Sequence, residues 1–222
     1  MKLCLASTAN SSGRYLEEVL KSNSHNVFRT RTNNAGEIED LLGQYDFLVL
    51  NFTTSLNRRI IENVVDRSRI VEMSPAKTPM MRYRGEIISL SILRTYNRAT
   101  DTGGSILTVI EDISREGTRE IVEELFGTAM ESMSKTAEEH DKLISELLVK
   151  PYILSLLSRK ISDLDFTPTT PEYDMLLDLS RSIDNYNIDT VRDLLRNNPQ
   201  TGEIFAGMEA SLKRVWNELS NY

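Results

Sequence analysis

The chain has 222 residues, of which 40% are hydrophobic and 27% are charged, a composition typical of a globular protein with one large or two small domains. The formal net charge of −7 argues against a nucleic-acid-binding protein, because phosphate binding relies on a basic surface. The single cysteine, Cys4, cannot form an internal disulfide, and no apolar stretch is long enough for a signal peptide or a membrane span. We therefore expect a soluble, cytoplasmic protein.

The first 134 residues alternate short apolar segments with helical patterns, which is typical of βαβ units with a parallel sheet. The predicted strands are Leu3–Ala6, Asn26–Thr30, Phe47–Asn51, Ile70–Glu72, Glu86–Leu90, Ser105–Ile110 and Ala129–Met133. The predicted helices are Gly13–Ser22, Glu37–Gln44, Ser55–Val65 and Arg115–Phe126. Residues 1–134 are thus predicted to form an α/β domain.

After residue 134 the strand signals stop and helical periodicity continues to the end of the chain. Thr136 and Glu139 have the spacing of a helix-capping box, and Pro151 should bend the helix that follows. Further helices are predicted to start at Thr170-Pro171, near Asn187 and at Thr201. Residues 135–222 therefore form a predicted all-α domain, whose many leucines favour completion of its core by a second copy, as a homodimer.

The first turns of this helical domain hold Glu139-His140-Asp141, which places one of the two histidines of the chain beside an acidic residue. One interpretation is a functional site at the domain junction. The other is a structural helix start, because acidic residues in a first turn are stabilised by the helix dipole without any ligand. His140 has no thiol or second histidine near it in sequence, so no metal site is predicted.

The first strand leads into a helix through Thr8-Ala9-Asn10-Ser11-Ser12-Gly13. Compared with the dinucleotide-binding pattern G-x-G-x-x-G, only the third glycine is present, at Gly13, while Thr8 and Asn10 replace the first two. Asn10, Ser11 and Ser12 have the side chains to bind a phosphate at the helix start, or simply to cap the helix. The sequence is compatible with both phosphate binding and helix capping.

About 20 residues further on, dinucleotide sites that bind NAD carry an acidic residue for the ribose. This chain has Arg29 and Arg31 there. If a dinucleotide binds, the two arginines favour NADP over NAD, because a guanidinium suits a phosphate. The alternative is a solvated basic turn without a ligand.

Taken in order, these motifs resemble those of the prephenate dehydrogenase family. The segments that carry the resemblance are Tyr45–Leu50, Glu72–Lys77 (D-x-x-S-x-K in the family), Glu139-His140-Asp141 (E-H-D), Thr170–Tyr173 (S-P-x-Y), Ser180–Ile183 (G-R-I) and Asn198-Pro199 (N-P). The resemblance implies a Rossmann-like nucleotide-binding domain followed by a helical dimerisation domain. It also implies NAD(P)-dependent oxidative decarboxylation of prephenate or arogenate in tyrosine biosynthesis.

The resemblance also assigns roles to single residues. Arg181 corresponds to an arginine that pairs with a substrate carboxylate, and Lys77 to a lysine that could anchor a carboxylate or pyrophosphate. Their alternatives are a surface arginine near Asp178 or Asp184 and a solvated loop lysine. Ser91 stands where the family has its catalytic histidine, and an unactivated serine is a poor general base.

Two functions are therefore considered. The first is a prephenate-type dehydrogenase, of low activity because the cofactor turn and the base position have changed. The second is a catalytically inactive paralogue that acts as a dimeric binding or regulatory protein.

Overall fold

A computed structural model describes residues 1–8, 11–97, 102–127, 130–161 and 170–220. The chain divides into two compact units, Met1–His140 and Asp141–Tyr222, with the division inside a helix. The first unit is an α/β unit and the second is helical. The predicted order of an α/β domain and an all-α domain is therefore found.

The α/β unit is built on a seven-stranded sheet. Its strands are β1 (Lys2–Ser7), β2 (Asn26–Thr30), β3 (Phe47–Asn51), β4 (Ile70–Glu72), β5 (Ile88–Asn97), β6 (Thr102–Ile110) and β7 (Glu131–Lys135). The order across the sheet is β2-β1-β3-β4-β5-β6-β7, and β1 to β5 run parallel. Because β2 and β3 pair with opposite sides of β1, the direction of winding reverses between β1 and β3.

Helices cover both faces of this sheet, as its continuously apolar central strands require. They are α1 (Ser11–Ser22), α2 (Ala35–Leu42), α3 (Thr54–Glu62) and α4 (Thr118–Phe126). One core joins the sheet to α2, α3 and a 3-10 turn at Thr78–Tyr83, and the other joins it to α1 and α4. Cys4 lies fully buried in the first of these cores, and desolvation raises the pKa of its thiol to about 11.

Three predicted strands have the observed bounds, and the prediction differs most at the fifth; the seventh was predicted from Ala129, which lies outside the described residues, and is observed at Glu131–Lys135. The predicted fifth strand ended at Leu90, whereas β5 continues to Asn97 and pairs antiparallel with β6. A hairpin reverses the chain here, while a parallel neighbour would need a crossover connection of a dozen or more residues. The sheet is therefore mixed, not wholly parallel, and Ser91 lies inside a strand.

The helical unit consists of packed helices that begin where the sequence predicts. The chain enters it through α5 (Ala137–Ile144) and continues through α6 (Lys150–Ile161), α7 (Pro171–Ser182), α8 (Ile188–Asn197) and α9 (Thr201–Ser220). A π-helical turn at Ser145–Val149 separates α5 from α6, directly before Pro151. Because proline has no N–H and clashes with the carbonyl four residues earlier, a widened turn accommodates it.

The predicted helix caps are present. The hydroxyl of Thr170 accepts a hydrogen bond from the Tyr173 amide at 3.3 Å, and the Asn187 side chain accepts one from the Asp189 amide at 2.8 Å. Each of these bonds satisfies a backbone donor that the first helical turn leaves unpaired. Among the described residues, no helix combines the length and the apolar character needed to span a bilayer.

Candidate functional site

The carboxyl ends of β1, β3 and β4 lie side by side at one edge of the sheet. Ser7 pairs with Asn51, and Leu50 pairs with Glu72, so these three strands end within one residue of each other. In open α/β sheets, ligands bind in the crevice outside these ends, where the strand order reverses. Here that place is the mouth between β1 and β3, next to the start of α1.

The turn from β1 into α1 is tightly packed around Gly13. A Cβ atom on Gly13 would lie 2.5 Å from the Ser7 hydroxyl oxygen and 3.0 Å from the Thr8 carbonyl oxygen. The first distance is shorter than real Cβ atoms show and the second is at the tight end of real contacts, so glycine allows the helix to approach the strand closely, as the third glycine of a dinucleotide fingerprint does. Across the mouth, the Asn51 amide donates a hydrogen bond of 3.3 Å to the Ser12 hydroxyl.

The other predicted residues of this turn are Thr8, Asn10 and Ser11. Thr8 is exposed, Asn10 lies outside the described residues, and Ser11 is the first residue of α1. The predicted helix began at Gly13, two residues later than the observed one. The arrangement brings Thr8, Ser12 and Gly13 to one edge of the sheet.

Arg29 is folded onto this turn. Its guanidinium donates hydrogen bonds to the Ser7 hydroxyl at 3.1 Å and to the Thr8 carbonyl at 2.8 Å, and it lies 3.4 Å from a Glu17 carboxylate oxygen. A hydrogen bond from Lys21, together with the charges of Lys21 and Arg29, lowers the pKa of Glu17. Arg29 therefore braces the turn and is already satisfied within the protein.

Arg31 differs from Arg29, although the sequence predicted the same role for both, binding of the NADP phosphate. It is exposed just past the end of β2, and it makes no ion pair with the part of the chain that the structure describes. Of the two arginines, Arg31 is the one whose guanidinium is available to a ligand.

Lys77 is fully buried, so the alternative of a solvated loop lysine is wrong. Its ammonium lies 2.7 Å from a Glu72 carboxylate oxygen and donates a 2.7 Å hydrogen bond to the Leu90 carbonyl. Glu72 also accepts hydrogen bonds from the Asn57 amide and the Ser89 hydroxyl, each at 3.1 Å. This buried cluster fixes the end of β4 to β5 and to α3, and Lys77 serves it as the balancing charge.

Ser91 also lies at this edge of the sheet. It is 7% exposed and pairs with Thr108 of β6. Ser89, two residues earlier on the same face, is hydrogen-bonded to Glu72. Ser91 thus sits beside the buried Glu72–Lys77 pair and, like the rest of β5, is held by the sheet.

His140 belongs to the well-capped start of α5. The Thr136 amide donates to a Glu139 carboxylate oxygen at 2.9 Å, and the Glu139 amide donates to the Thr136 hydroxyl at 3.2 Å, which is the predicted capping box. The hydrogen bonds from Thr136 lower the pKa of Glu139. The cap is made by Thr136 and Glu139, while His140 and Asp141 are fully buried.

Arg181 lies near the end of α7 in the helical unit. Its side chain is 70% exposed, and its guanidinium is 3.9 Å from Asp178. Of the two acidic neighbours expected from the sequence, Asp178 is thus the one near it, because Asp184 bonds Arg159 at 2.8 Å. An exposed guanidinium with so distant a partner can still bind a carboxylate.

The chain is similar to known proteins in structure, whereas the sequence comparisons found no match. No protein-family model matches the chain, and no curated protein matches it. Among solved structures, a prephenate dehydrogenase from A. aeolicus, in complex with hydroxyphenyl propionate and NAD+, superimposes with a TM-score of 0.71 at 13% identity over 100% of this chain and 91% of that one.

This chain has the fold of the prephenate and arogenate dehydrogenases. The arogenate dehydrogenase of Synechocystis has a TM-score of 0.60 at 13% identity and covers 100% of this chain and 92% of that one. An NADH-preferring ketol-acid reductoisomerase from an uncultured archaeon has a TM-score of 0.51 at 14% identity, over 99% of this chain and 83% of that one. At such identities the likeness establishes the fold.

The sequence predicted neither the buried cluster around Glu72 nor the burial of the Thr108 hydroxyl. A signal for the cluster exists, because Glu72 ends a short apolar strand and a carboxylate in such a place needs a cation close by. Lys77 follows five residues later. Thr108 carries no comparable signal, since threonine is common in strands.

Proposed function

We propose that this protein is an NAD(P)-dependent oxidoreductase of the prephenate or arogenate dehydrogenase type, with NADP preferred. The observation that carries the proposal is the packing of Gly13 against Ser7 and Thr8, at the reversal of strand order, in a chain with this fold. Glycine at this position lets α1 pack closely against β1, as the third glycine of a dinucleotide turn does, so this residue fits such a turn.

The chain's own residues would bind the dinucleotide at the carboxyl edge. The hydroxyl of Ser12 and the amide groups at the start of α1 suit its pyrophosphate. Arg29 holds the turn in shape, and the exposed Arg31 would contact a ribose phosphate. The bound nicotinamide would supply the acceptor for a hydride.

The substrate class in this proposal is a small cyclic carboxylate, prephenate or arogenate. Arg181 would pair with its carboxylate, because its guanidinium is exposed and only loosely held by Asp178. Lys77 contributes indirectly, by fixing β4 to β5 beside Ser91. His140 is buried at the start of α5 and is proposed as a catalytic residue.

Titration with NADP and NAD by calorimetry tests the cofactor. We expect NADP to bind more tightly than NAD, and Arg31→Ala to weaken NADP binding about tenfold or more while changing NAD binding little, because one charge-assisted contact is lost. Arg192→Ala removes an exposed arginine of the helical unit and should change neither. Absence of binding of both dinucleotides at millimolar concentration would contradict the proposal.

A specific observation favours a second function, that of a dinucleotide-binding protein without turnover. Ser91 lies within β5, where no described base contacts its hydroxyl, so it is not activated for proton transfer. Prephenate-dependent NADPH formation separates the two functions. Binding of NADP with no turnover on prephenate or arogenate would favour the regulatory or binding role.

The proposal includes a homodimer that forms through the helical unit. On α9, Leu212, Val215, Trp216 and Leu219 are exposed at spacings that place them on one face, and Trp216 is 70% exposed. A groove of about 660 Å³ runs between α6 and α9, with Leu154 and Leu157 among its lining residues. A continuous apolar face of this kind marks an interaction surface, and a second copy of the chain would cover it.

We expect the protein to sediment as a dimer and the double substitution of Leu212 and Trp216 by glutamate to sediment as a monomer, because charges on a buried interface are costly. Lys213→Glu changes charge on the same helix at an exposed ion pair with Glu209, and it should remain dimeric. Analytical ultracentrifugation measures the difference. A monomeric wild-type protein at tens of micromolar would show that this face has another role.

A further inference from the structure

β7 is the last strand of the sheet, and its outer edge is accessible. Within the described residues, no strand pairs with β7 on the side away from β6. Ser132 and Ser134 are exposed, and a cavity of about 420 Å³ opens beside them on the side of α4. The register with β6 is continuous from Glu131 to Lys135, so no bulge bends this edge away, and the strand contains no proline. Such an edge can pair with a strand of another chain.

The backbone groups of Ser132 and Ser134 point away from the sheet. The Lys135 carbonyl accepts a hydrogen bond of 3.0 Å from the Glu111 amide, just after β6, so Lys135 faces its neighbouring strand. Successive residues of a strand direct their amide and carbonyl groups to alternate sides, so Met133 faces β6 as well. Ser132 and Ser134 therefore offer two amides and two carbonyls to a strand that is added at this edge.

The sequence of β7, Glu-Ser-Met-Ser-Lys, is complementary to itself in the antiparallel direction. Pairing centred on Met133 places Ser132 opposite Ser134 of a second copy, where each pair exchanges two backbone hydrogen bonds. The same register places Glu131 of each copy opposite Lys135 of the other. Opposite charges that face each other across two strands stabilise the pairing, whereas like charges destabilise it.

The positions of the two charges favour a second copy over an isolated edge. Lysine on an edge strand usually protects it, since identical edges then repel each other. Glu131 and Lys135 instead lie symmetrically about Met133, so antiparallel pairing joins opposite charges. Neither side chain forms an ion pair with any described residue. The pKa of Glu139 is lowered mainly by hydrogen bonds from Thr136, and the charge of Lys135 contributes least to that shift.

We propose that β7 pairs antiparallel with β7 of a second copy, centred on Met133, so that two seven-stranded sheets join into one. The contact is isologous, because each copy contributes the same residues. Five residues from each copy bury much less surface than a stable interface needs, so this contact is weak by itself. It joins dimers of the helical unit to one another at high protein concentration, and it requires neither a dinucleotide nor a substrate.

Disulfide trapping tests the register. In the proposed pairing, Met133→Cys brings two thiols face to face with their Cα atoms about 4.5 Å apart, a separation that a disulfide spans. Ser132→Cys is the matched control on the same exposed strand, because its two copies lie on a diagonal of about 7–8 Å, too far for a disulfide. We expect a mild thiol oxidant to link Met133→Cys at least tenfold faster than Ser132→Cys, and the wild-type protein not at all.

Charge reversal in the Met133→Cys variant tests the pairs at the two ends. Glu131→Lys and Lys135→Glu each place like charges opposite one another at both ends, so each should slow the linkage about tenfold. The two reversals together should restore the rate, because the opposite charges only change places. Reaction of each variant with a small disulfide reagent measures the reactivity of the thiol itself, and the linkage rates are divided by it.

Three results would overturn the β7 proposal. They are linkage of Ser132→Cys as fast as that of Met133→Cys, linkage rates that do not change with the single reversals, and a double reversal that stays slow. Linkage should persist in the variant with glutamate at Leu212 and Trp216, which separates this contact from the interface of the helical unit. Failure of the proposed function would appear in the dinucleotide titrations and would leave the linkage unchanged.

Discussion

Replacing Lys77 by methionine should lower the free energy of unfolding by about 3–5 kcal/mol, the cost of leaving a buried charge without its partner. Lys77 and Glu72 are both fully buried and lie 2.7 Å apart. Removal of the ammonium also leaves the Leu90 carbonyl without the hydrogen bond that Lys77 donates to it. Urea unfolding followed by circular dichroism measures the change.

Two further variants check the cause of this loss. The double variant Lys77→Met with Glu72→Gln should recover much of the stability, because no charge remains buried and the glutamine can still accept from Asn57. Lys21→Met breaks the exposed pair with Glu17 and should change stability by less than about 1 kcal/mol. A loss in Lys77→Met no larger than in Lys21→Met would show that the buried pair is not important for stability.

Substitution of Gly13 by alanine should destabilise the protein by about 1–3 kcal/mol through overpacking and should also impair dinucleotide binding. The new methyl group would lie 2.5 Å from the Ser7 hydroxyl and 2.9 Å from the Arg29 guanidinium, so α1 or the turn must move away from β1. Such a movement displaces the helix start that would bind the pyrophosphate. Unfolding in urea and titration with NADP measure the two effects.

Gly202→Ala is the matched control for this substitution. Gly202 lies in the first turn of α9, and a Cβ atom there would meet nothing within 4 Å. The change should be neutral or stabilising by less than about 1 kcal/mol, because alanine favours helix. Normal NADP affinity in Gly13→Ala would argue against a dinucleotide at this turn.

Much of the fold follows from local sequence signals. β2, β3 and β4 have the predicted bounds because each is a short run of strand-forming residues between polar turns. The helix starts at Thr136 and Thr170 were predicted from side chains that cap the backbone within three residues. These features depend on neighbours in the chain, so the sequence contains them directly.

The extension of β5 could not be predicted in the same way. Ser91 interrupts the apolar run after Leu90, and Arg94 and Thr95 follow soon after, which resembles the end of a strand. They form a strand because β6 supplies hydrogen bonds along the whole hairpin, from Leu90 with Val109 to Asn97 with Thr102. Such pairing depends on the tertiary structure, which overrides local propensity.

In the candidate site, too, some features could be predicted from the sequence and others depend on the fold. Gly13 was identified from its spacing, and its role in close packing follows the pattern. Arg29 and Arg31 were alike in sequence, and only the fold separates the one that braces the turn from the one that is exposed. The Thr108 hydroxyl, which has no hydrogen-bond partner among the described residues, becomes evident only from the folded structure.

The burial of Cys4 has a practical consequence for further work on this protein. The chain contains one cysteine, and a thiol with a pKa of about 11 that is fully buried is almost entirely protonated and inaccessible to reagents at neutral pH. A cysteine introduced on the surface would then be the sole reactive thiol, with no need to remove the native one. Position 213 on α9, at the exposed ion pair with Glu209, would allow a spin label or cross-linker to be attached selectively without touching the proposed interface, and distances between labels on two copies would become measurable.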